Sequence, residues 1–170
     1  EICLCGGWYS GTLLDNDLEA EKLKVRSQMD LFIDLGAPCL VYGETSGTIQ
    51  NIRNAPLNSR RILGDEEFKT YGEKVTKFFN WCKSEGMPLS FHHHMGTAIE
   101  TEKDIDNLMQ NTDKSVNLLF DPGHMAFAGG NINNIIRKYG KRINHFHAKD
   151  VRIDVINNLN REKESFLDAV

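Results

Sequence analysis

Hydrophobic positions in this chain follow two rhythms: short unbroken apolar runs of strand length, and longer stretches with apolar residues every three or four positions. Residues 2–5 are the first apolar run, and GGWYSG after it reads as a loop. From Leu14 to Gly36 the spacing turns helical, with Leu18, Val25, Met29, Phe32 and Ile33 near one face. Asp15, Asn16 or Asp17 can cap that helix, and Gly36 can end it. Residues 37–43 form a second strand, and a polar connection over 44–64 leads to Asp65, the expected cap of a second helix. Its inward residues are Phe68, Tyr71, Val75, Phe78, Phe79 and Cys82, with Gly86 as its stop. A third strand spans 88–94. Thr101 then opens a third helix in capping-box style, with Asp104 in place of the usual Glu and Ile105, Leu108 and Met109 inward. A strand over 116–121, a helix over 131–141 around Ile132, Ile135, Ile136 and Tyr139, a strand over 142–148 and a last helix over 161–170 complete the prediction.

Strands alternating with helices imply repeated βα units. Such units make a parallel sheet with helices outside and functional groups at the strand C-termini. No GxGxxG or P-loop follows any strand, which removes the usual reason to prefer a nucleotide-binding open sheet. A full eight-unit barrel needs about 250 residues, so five strands fit a barrel lacking roughly three units. The expected fold is therefore α/β, a partial parallel (β/α) barrel of five βα units, with an open sheet as the alternative. A single domain over 1–170 is expected, cut at both ends, because Glu1 runs straight into an apolar stretch and SFLDAV stops in one. A chain with open barrel edges and an incomplete metal shell is expected to be poorly stable or inactive in isolation.

Composition narrows the partners. At 40% hydrophobic the chain can build a core, and a net charge of −4 without a basic stripe argues against nucleic acid. No run of about 20 apolar residues suggests a membrane span. Cys3, Cys5, Cys39 and Cys82 form no CxxC pair, which fits buried reduced thiols in a cytoplasmic protein.

The candidate chemistry sits at strand ends. Strand side chains alternate, so His92 and His94 share a face and His93 takes the other; His145 and His147 likewise share one. Asp121 closes its strand on the side of Leu119, with His124 three residues on. A lone strand-end histidine is ordinarily only hydrogen-bonded, but here five of the six lie at or beside strand ends and the sixth, His124, follows Asp121 by three, which points to a site. Imidazole and carboxylate together suit a borderline divalent ion such as Mn, Co, Zn or Fe better than Ca or Mg alone. The bland readings are a turn for Asp-Pro-Gly, a helix-flanking acid for Glu100, a solvated pair for Lys149 and Asp150, and loop for Glu44.

FHHHMGTAIET, NLLFDPGHMAFAGGN and RINHFHAKDVR, in this order, with GGWYSG and VYGETSGTIQ upstream, resemble the inosose dehydratases (2-keto-myo-inositol dehydratases), of the xylose-isomerase-like TIM barrels. The resemblance covers residues 1–152; DxGH and HxHxKD alone would indicate only the superfamily. It implies a divalent ion held by an acid, an Asp, a His and a final acid. In this chain these would be Glu100, Asp121 and His147, the fourth having no counterpart; His92 stands where some relatives carry a strand-end Glu. Manganese or cobalt is expected first, with zinc, iron or magnesium as alternatives.

The resemblance further implies metal-assisted loss of water from a cyclic polyhydroxy ketone in inositol catabolism. His94, His124 and Glu100 are the candidate acid–base groups, and His92, His145, Lys149, Arg152 and Glu44 the substrate-contacting set. The alternatives are a sugar or inosose isomerase or epimerase, an endonuclease of the same superfamily, against which the acidic balance counts, and a non-catalytic binding module. The partner expected is a small cyclic polyol ketone, with homo-oligomerisation left open.

Overall fold

A computed structural model describes residues 6–170. The expected strand over 2–5 lies outside the described residues. The segment read as a loop after it is instead the first strand, β1 (Gly7–Gly11), paired in parallel with β2 (Leu40–Glu44). Its glycines explain the misreading. A Cβ at Gly7 would fall 2.0 Å from the Phe32 ring and one at Gly11 2.0 Å from the Tyr42 ring, so strand positions that usually carry β-formers are kept bare for packing.

The sheet continues through β3 (Leu89–His92), β4 (Asn117–Phe120) and β5 (Ile143–Phe146), all parallel and in the spatial order β1-β2-β3-β4-β5. Strand order never reverses among the described residues, which hold no switch point of the doubly wound kind. With right-handed crossovers, unidirectional order puts every helix on one face, which is the arrangement of barrel staves.

Helix α1 (Leu18–Asp34) is capped by Asp17, whose Oδ1 accepts from Ala20 N at 2.8 Å. Val25 and Met29 point inward as expected, whereas Ile33 is 38% exposed and lies off the buried face. Helix α2 (Asp65–Ser84) starts one residue earlier than expected: Gly64 is its cap, with the Glu67 carboxylate accepting from Gly64 N. Its six predicted inward residues are all buried. The capping box of α3 (Glu102–Gln110) forms between Thr101 and Asp104, and α5 (Ile132–Tyr139) is capped by Asn131.

Two further elements differ from expectation. DPGH opens a short helix, α4 (Pro122–Phe127), with Asp121 as cap and Pro122 in the first turn, where its missing N–H costs nothing. The helix expected over 161–170 is absent; α6 (Ile153–Asn158) lies upstream, with a single 3₁₀ turn at Phe166–Asp168. The apolar residues of this tail serve tertiary packing: Phe166, Leu159 and Ile156 close a small cluster with Leu57, Met95 and Phe127.

The main core lies between sheet and helices, where Tyr9, Tyr42, Phe91, Leu118 and Phe120 meet Phe68, Phe78 and Phe79. No helix among the described residues is long and apolar enough to cross a membrane.

Candidate active site

Alternation along the strands sorts the chemistry. Odd positions of β3 (Leu89, Phe91) join the helix-facing core, and His93 continues that face, its ring centroid 5.8 Å from that of Phe120. His92 and His94 therefore emerge on the opposite face, with their ring centroids 5.5 Å apart. On β4, Leu118 and Phe120 enter the core, so Asp121 follows Leu119 to the histidine side. On β5 the register slips between Leu118 and Leu119: Ile143 pairs with Leu118, but Leu119 pairs with His145. This bulge swings His145 and His147 to that face, with ring centroids 5.4 Å apart.

His92, Asp121 and His147 converge so that one donor atom from each lies within 4.8 Å of the others. His92 Nδ1 sits against the His93 carbonyl oxygen at 2.5 Å; a carbonyl only accepts, so Nδ1 carries the proton. The Nε2 lone pair then faces His147 Nδ1 at 3.2 Å and Asp121 Oδ2 at 3.9 Å. Asp121 divides its oxygens: Oδ1 accepts from His124 N at 3.1 Å as the cap of α4, and Oδ2 faces the imidazoles and accepts from the Lys149 ammonium. Gly123 makes that approach achievable, since a Cβ there would lie 2.6 Å from Lys149 Cβ.

Two more imidazoles back the cluster. His94 donates through Nδ1 to the Met95 carbonyl at 2.9 Å, which leaves its Nε2 as the basic nitrogen. His124 packs behind it at a tilt of 55°, ring centroids 4.0 Å apart, with its Nε2 buried 3.6 Å from Asp121 Oδ2. Burial, then the neighbouring histidines, pushes His92 down to about 2. Burial takes His93 to about 4 and also lowers His94, His124 and His147, so these rings are neutral near pH 7.

These groups open onto a cleft of about 310 Å³. His92, His94, His147 and Lys149 line it together with four residues absent from the sequence-derived set: Trp8, Gln50, Asn51 and Phe166. Trp8 meets His92 edge-on at 5.7 Å and Phe166 covers His94 at 5.7 Å. Both are aromatic residues in segments read as loop or helix, so no strand-end pattern marked them. Gln50 and Asn51 lie in the long connection, whose length was the available signal.

Glu100 is not brought to this cluster. It is buried, and its Oε2 accepts from Gly96 N at 2.8 Å while Oε1 accepts from Arg161 Nη2 at 3.1 Å, with Arg60 Nε 3.7 Å from Oε2. Burial still raises its carboxyl above the usual range. In the expected trio its place beside Asp121 and His147 is occupied by His92. Glu44 is likewise elsewhere. Sharing a face with Tyr42, it points into the helix layer and accepts from Tyr42 and Tyr71 hydroxyls at 2.8 and 2.9 Å. His145 sits deeper on the same sheet face, in the cleft bounded by Trp8, Val41 and Phe146, and Arg152 lines a separate cleft with Phe127 and Ile156.

An α/β stave array with a mixed imidazole–carboxylate cluster at its strand C-termini defines the class, and residues 2–165 match the family described as xylose isomerase-like TIM barrel. The chain belongs to that family. It is 42% identical over 168 residues to the rhizopine catabolism protein MocC of Rhizobium meliloti, covering 98% of this chain and 51% of that protein. It is 34% identical over 171 residues to the inosose dehydratase of Geobacillus thermodenitrificans, covering 99% and 57%. The chain thus spans about half the length of the curated relatives it matches. Among solved structures, it resembles a probable 3-DHS dehydratase, AsbF, of Bacillus anthracis with a TM-score of 0.67 at 14% identity, over 94% of this chain and 53% of that one. It also resembles an IOLI protein with a bound zinc atom, TM-score 0.63 at 17% identity, over 96% and 59%.

Proposed function

We propose that this chain carries the catalytic half of a metal-dependent hydro-lyase that dehydrates a cyclic polyhydroxy ketone, 2-keto-myo-inositol, in inositol catabolism. The reading is supported above all by the convergence of His92 Nε2, Asp121 Oδ2 and His147 Nδ1 beside the His94 base in one cleft. The names of relatives at 34–35% identity support the substrate.

Two imidazole nitrogens and one carboxylate oxygen suit a borderline divalent ion, for which manganese or cobalt is the choice proposed here. Such an ion would supply Lewis acidity that stabilises the negative charge developing on the substrate as its proton is removed. His92, Asp121 and His147 are its proposed holders. His94 Nε2, whose tautomer is fixed by Met95, takes the proton from the carbon next to the carbonyl. The imidazolium so formed returns it to the departing β-hydroxyl, which leaves as water while the carbon–carbon double bond forms, so one group closes the proton balance. Lys149 faces the cleft and steadies negative charge on the substrate oxygens, and Phe166 keeps water off His94. With Cys39 and Cys82 buried as free thiols, a cytoplasmic setting is proposed.

Incubating the full-length protein with 2-keto-myo-inositol and Mn²⁺ should give a diketone-type product with new ultraviolet absorption. Appearance of an isomeric inosose without that absorption would instead identify an isomerase or epimerase.

A further inference from the structure

We propose that His93 is a positioning residue for Asp121, gripping its backbone amide with a neutral imidazole acceptor. The proposal deepens, and rests on, the reading of Asp121 as an ion holder.

The β3–β4 pairing ends at His92 and Leu119. Two residues past that pair, the Asp121 N–H donates to His93 Nε2 at 3.2 Å, with both residues fully buried. A backbone amide only donates, so Nε2 presents its lone pair, and a neutral ring must carry its proton on Nδ1. That Nδ1 is buried with no hydrogen-bond partner among the described residues. Leaving a buried N–H unpaired is costly, and a residue retained for packing beside Phe120 would need no imidazole at all. What the ring offers is an uncharged acceptor. A carboxylate there would set a second negative charge against Asp121, and an aliphatic side chain would leave the Asp121 amide unpaired.

The rest of Asp121's surroundings gives that amide its importance. Oδ1 is committed to His124 N, and the preceding Phe120 carbonyl accepts from His147 N at 3.1 Å. The peptide is thus pinned from α4 and from β5, and His93 supplies the hold from β3. The last residue of β3 and the one after it act on Asp121 from opposite faces: His92 Nε2 aims at Oδ2, and His93 holds the backbone behind it. The result fixes the separation of the carboxylate from both imidazole donors before any ion arrives, which is the role of partners behind metal ligands.

The first test needs no variant. In ¹⁵N-labelled full-length protein, His93 is expected as the Nδ1-protonated tautomer, with scalar coupling from Nε2 across the hydrogen bond to the Asp121 amide. An Nε2-protonated ring overturns the proposal whatever the ion does. Mn²⁺ affinity by calorimetry supplies the second arm. Folded His93→Leu should bind roughly 10–100-fold more weakly, and His93→Gln, which keeps an acceptor, should stay within a few-fold of the parent. Unchanged affinity in folded His93→Leu overturns the positioning role; if that variant fails to fold, the tautomer decides. A parent protein that shows the predicted tautomer and coupling but binds no Mn²⁺ overturns the metal reading and leaves the His93–Asp121 bond established.

Discussion

His147 Nδ1 lies 3.2 Å from His92 Nε2, two ring nitrogens from strands far apart in sequence facing each other beside one carboxylate oxygen. Because His92 Nδ1 is committed to a carbonyl, the pair can present two converging lone pairs when His147 carries its proton on Nε2. Replacing His92, Asp121 or His147 by Ala should weaken Mn²⁺ binding by more than the 10–100-fold typical of supporting residues. Glu100→Gln should bind within a few-fold of the parent. Calorimetric titration of the four variants checks this, and loss of binding in Glu100→Gln with retention in His92→Ala would restore the sequence-derived ligand set.

Glu100 is expected to matter for stability. It joins the turn at Gly96, the long connection through Arg60 and the tail through Arg161. Removing one partner of such a buried pair typically costs about 3–5 kcal/mol. Glu100→Ala should lower the urea midpoint accordingly. Arg161→Ala should cost less, because Arg161 is partly exposed, yet should speed proteolysis of the tail that carries Phe166 over His94.

The buried histidines make the ion-free chain acid-sensitive. A depressed folded-state value means that the neutral ring stabilises the fold above the ordinary imidazole range, and that this contribution is lost as pH falls. His93, held down to about 4, loses its contribution between roughly pH 6.5 and 4, at a slope no steeper than about 1.4 kcal/mol per pH unit. Urea midpoints measured from pH 7.5 to 4.5 should fall across that window, and should fall less in His93→Gln.

Glu44 has the opposite sign. Burial raises its carboxyl, so the protonated form suits the fold, and its contribution is lost as pH rises from the ordinary carboxylate value through the raised one. Glu44→Gln should therefore change stability at pH 7.5 by no more than about 1 kcal/mol, because the Tyr42 and Tyr71 hydroxyls can rotate to suit an amide. A large loss at pH 7.5 would show that the ionised carboxylate is required.

Gly123→Ala should displace Lys149 and destabilise by about 1–3 kcal/mol, because its new methyl would sit 2.6 Å from Lys149 Cβ. A crystal structure of the variant with Lys149 still on Asp121 would contradict that.

The sequence by itself determined the βα rhythm, the caps of α1 and α3, and the side of the sheet on which His92 and Asp121 stand. These follow from local rules: a period of two along strands, a period near 3.6 along helices, and side chains that satisfy the first amides of a helix. Glu44, read as loop or as a substrate contact, instead closes β2 on the face of Tyr42. Only the tertiary structure decided what depends on neighbours remote in the chain. Gly7 and Gly11 form a strand because rings from α1 and β2 fill the space of their side chains. His145 and His147 reach the site because β5 slips one residue against β4. Glu100 turns from the cluster because Arg60 and Arg161, distant in sequence, offer it charge and hydrogen bonds in a buried place. Trp8 and Phe166 become walls because strand order and tail packing bring opposite ends of the chain to one cleft. Local patterns cannot encode such contacts, since each depends on a partner that sequence spacing does not locate.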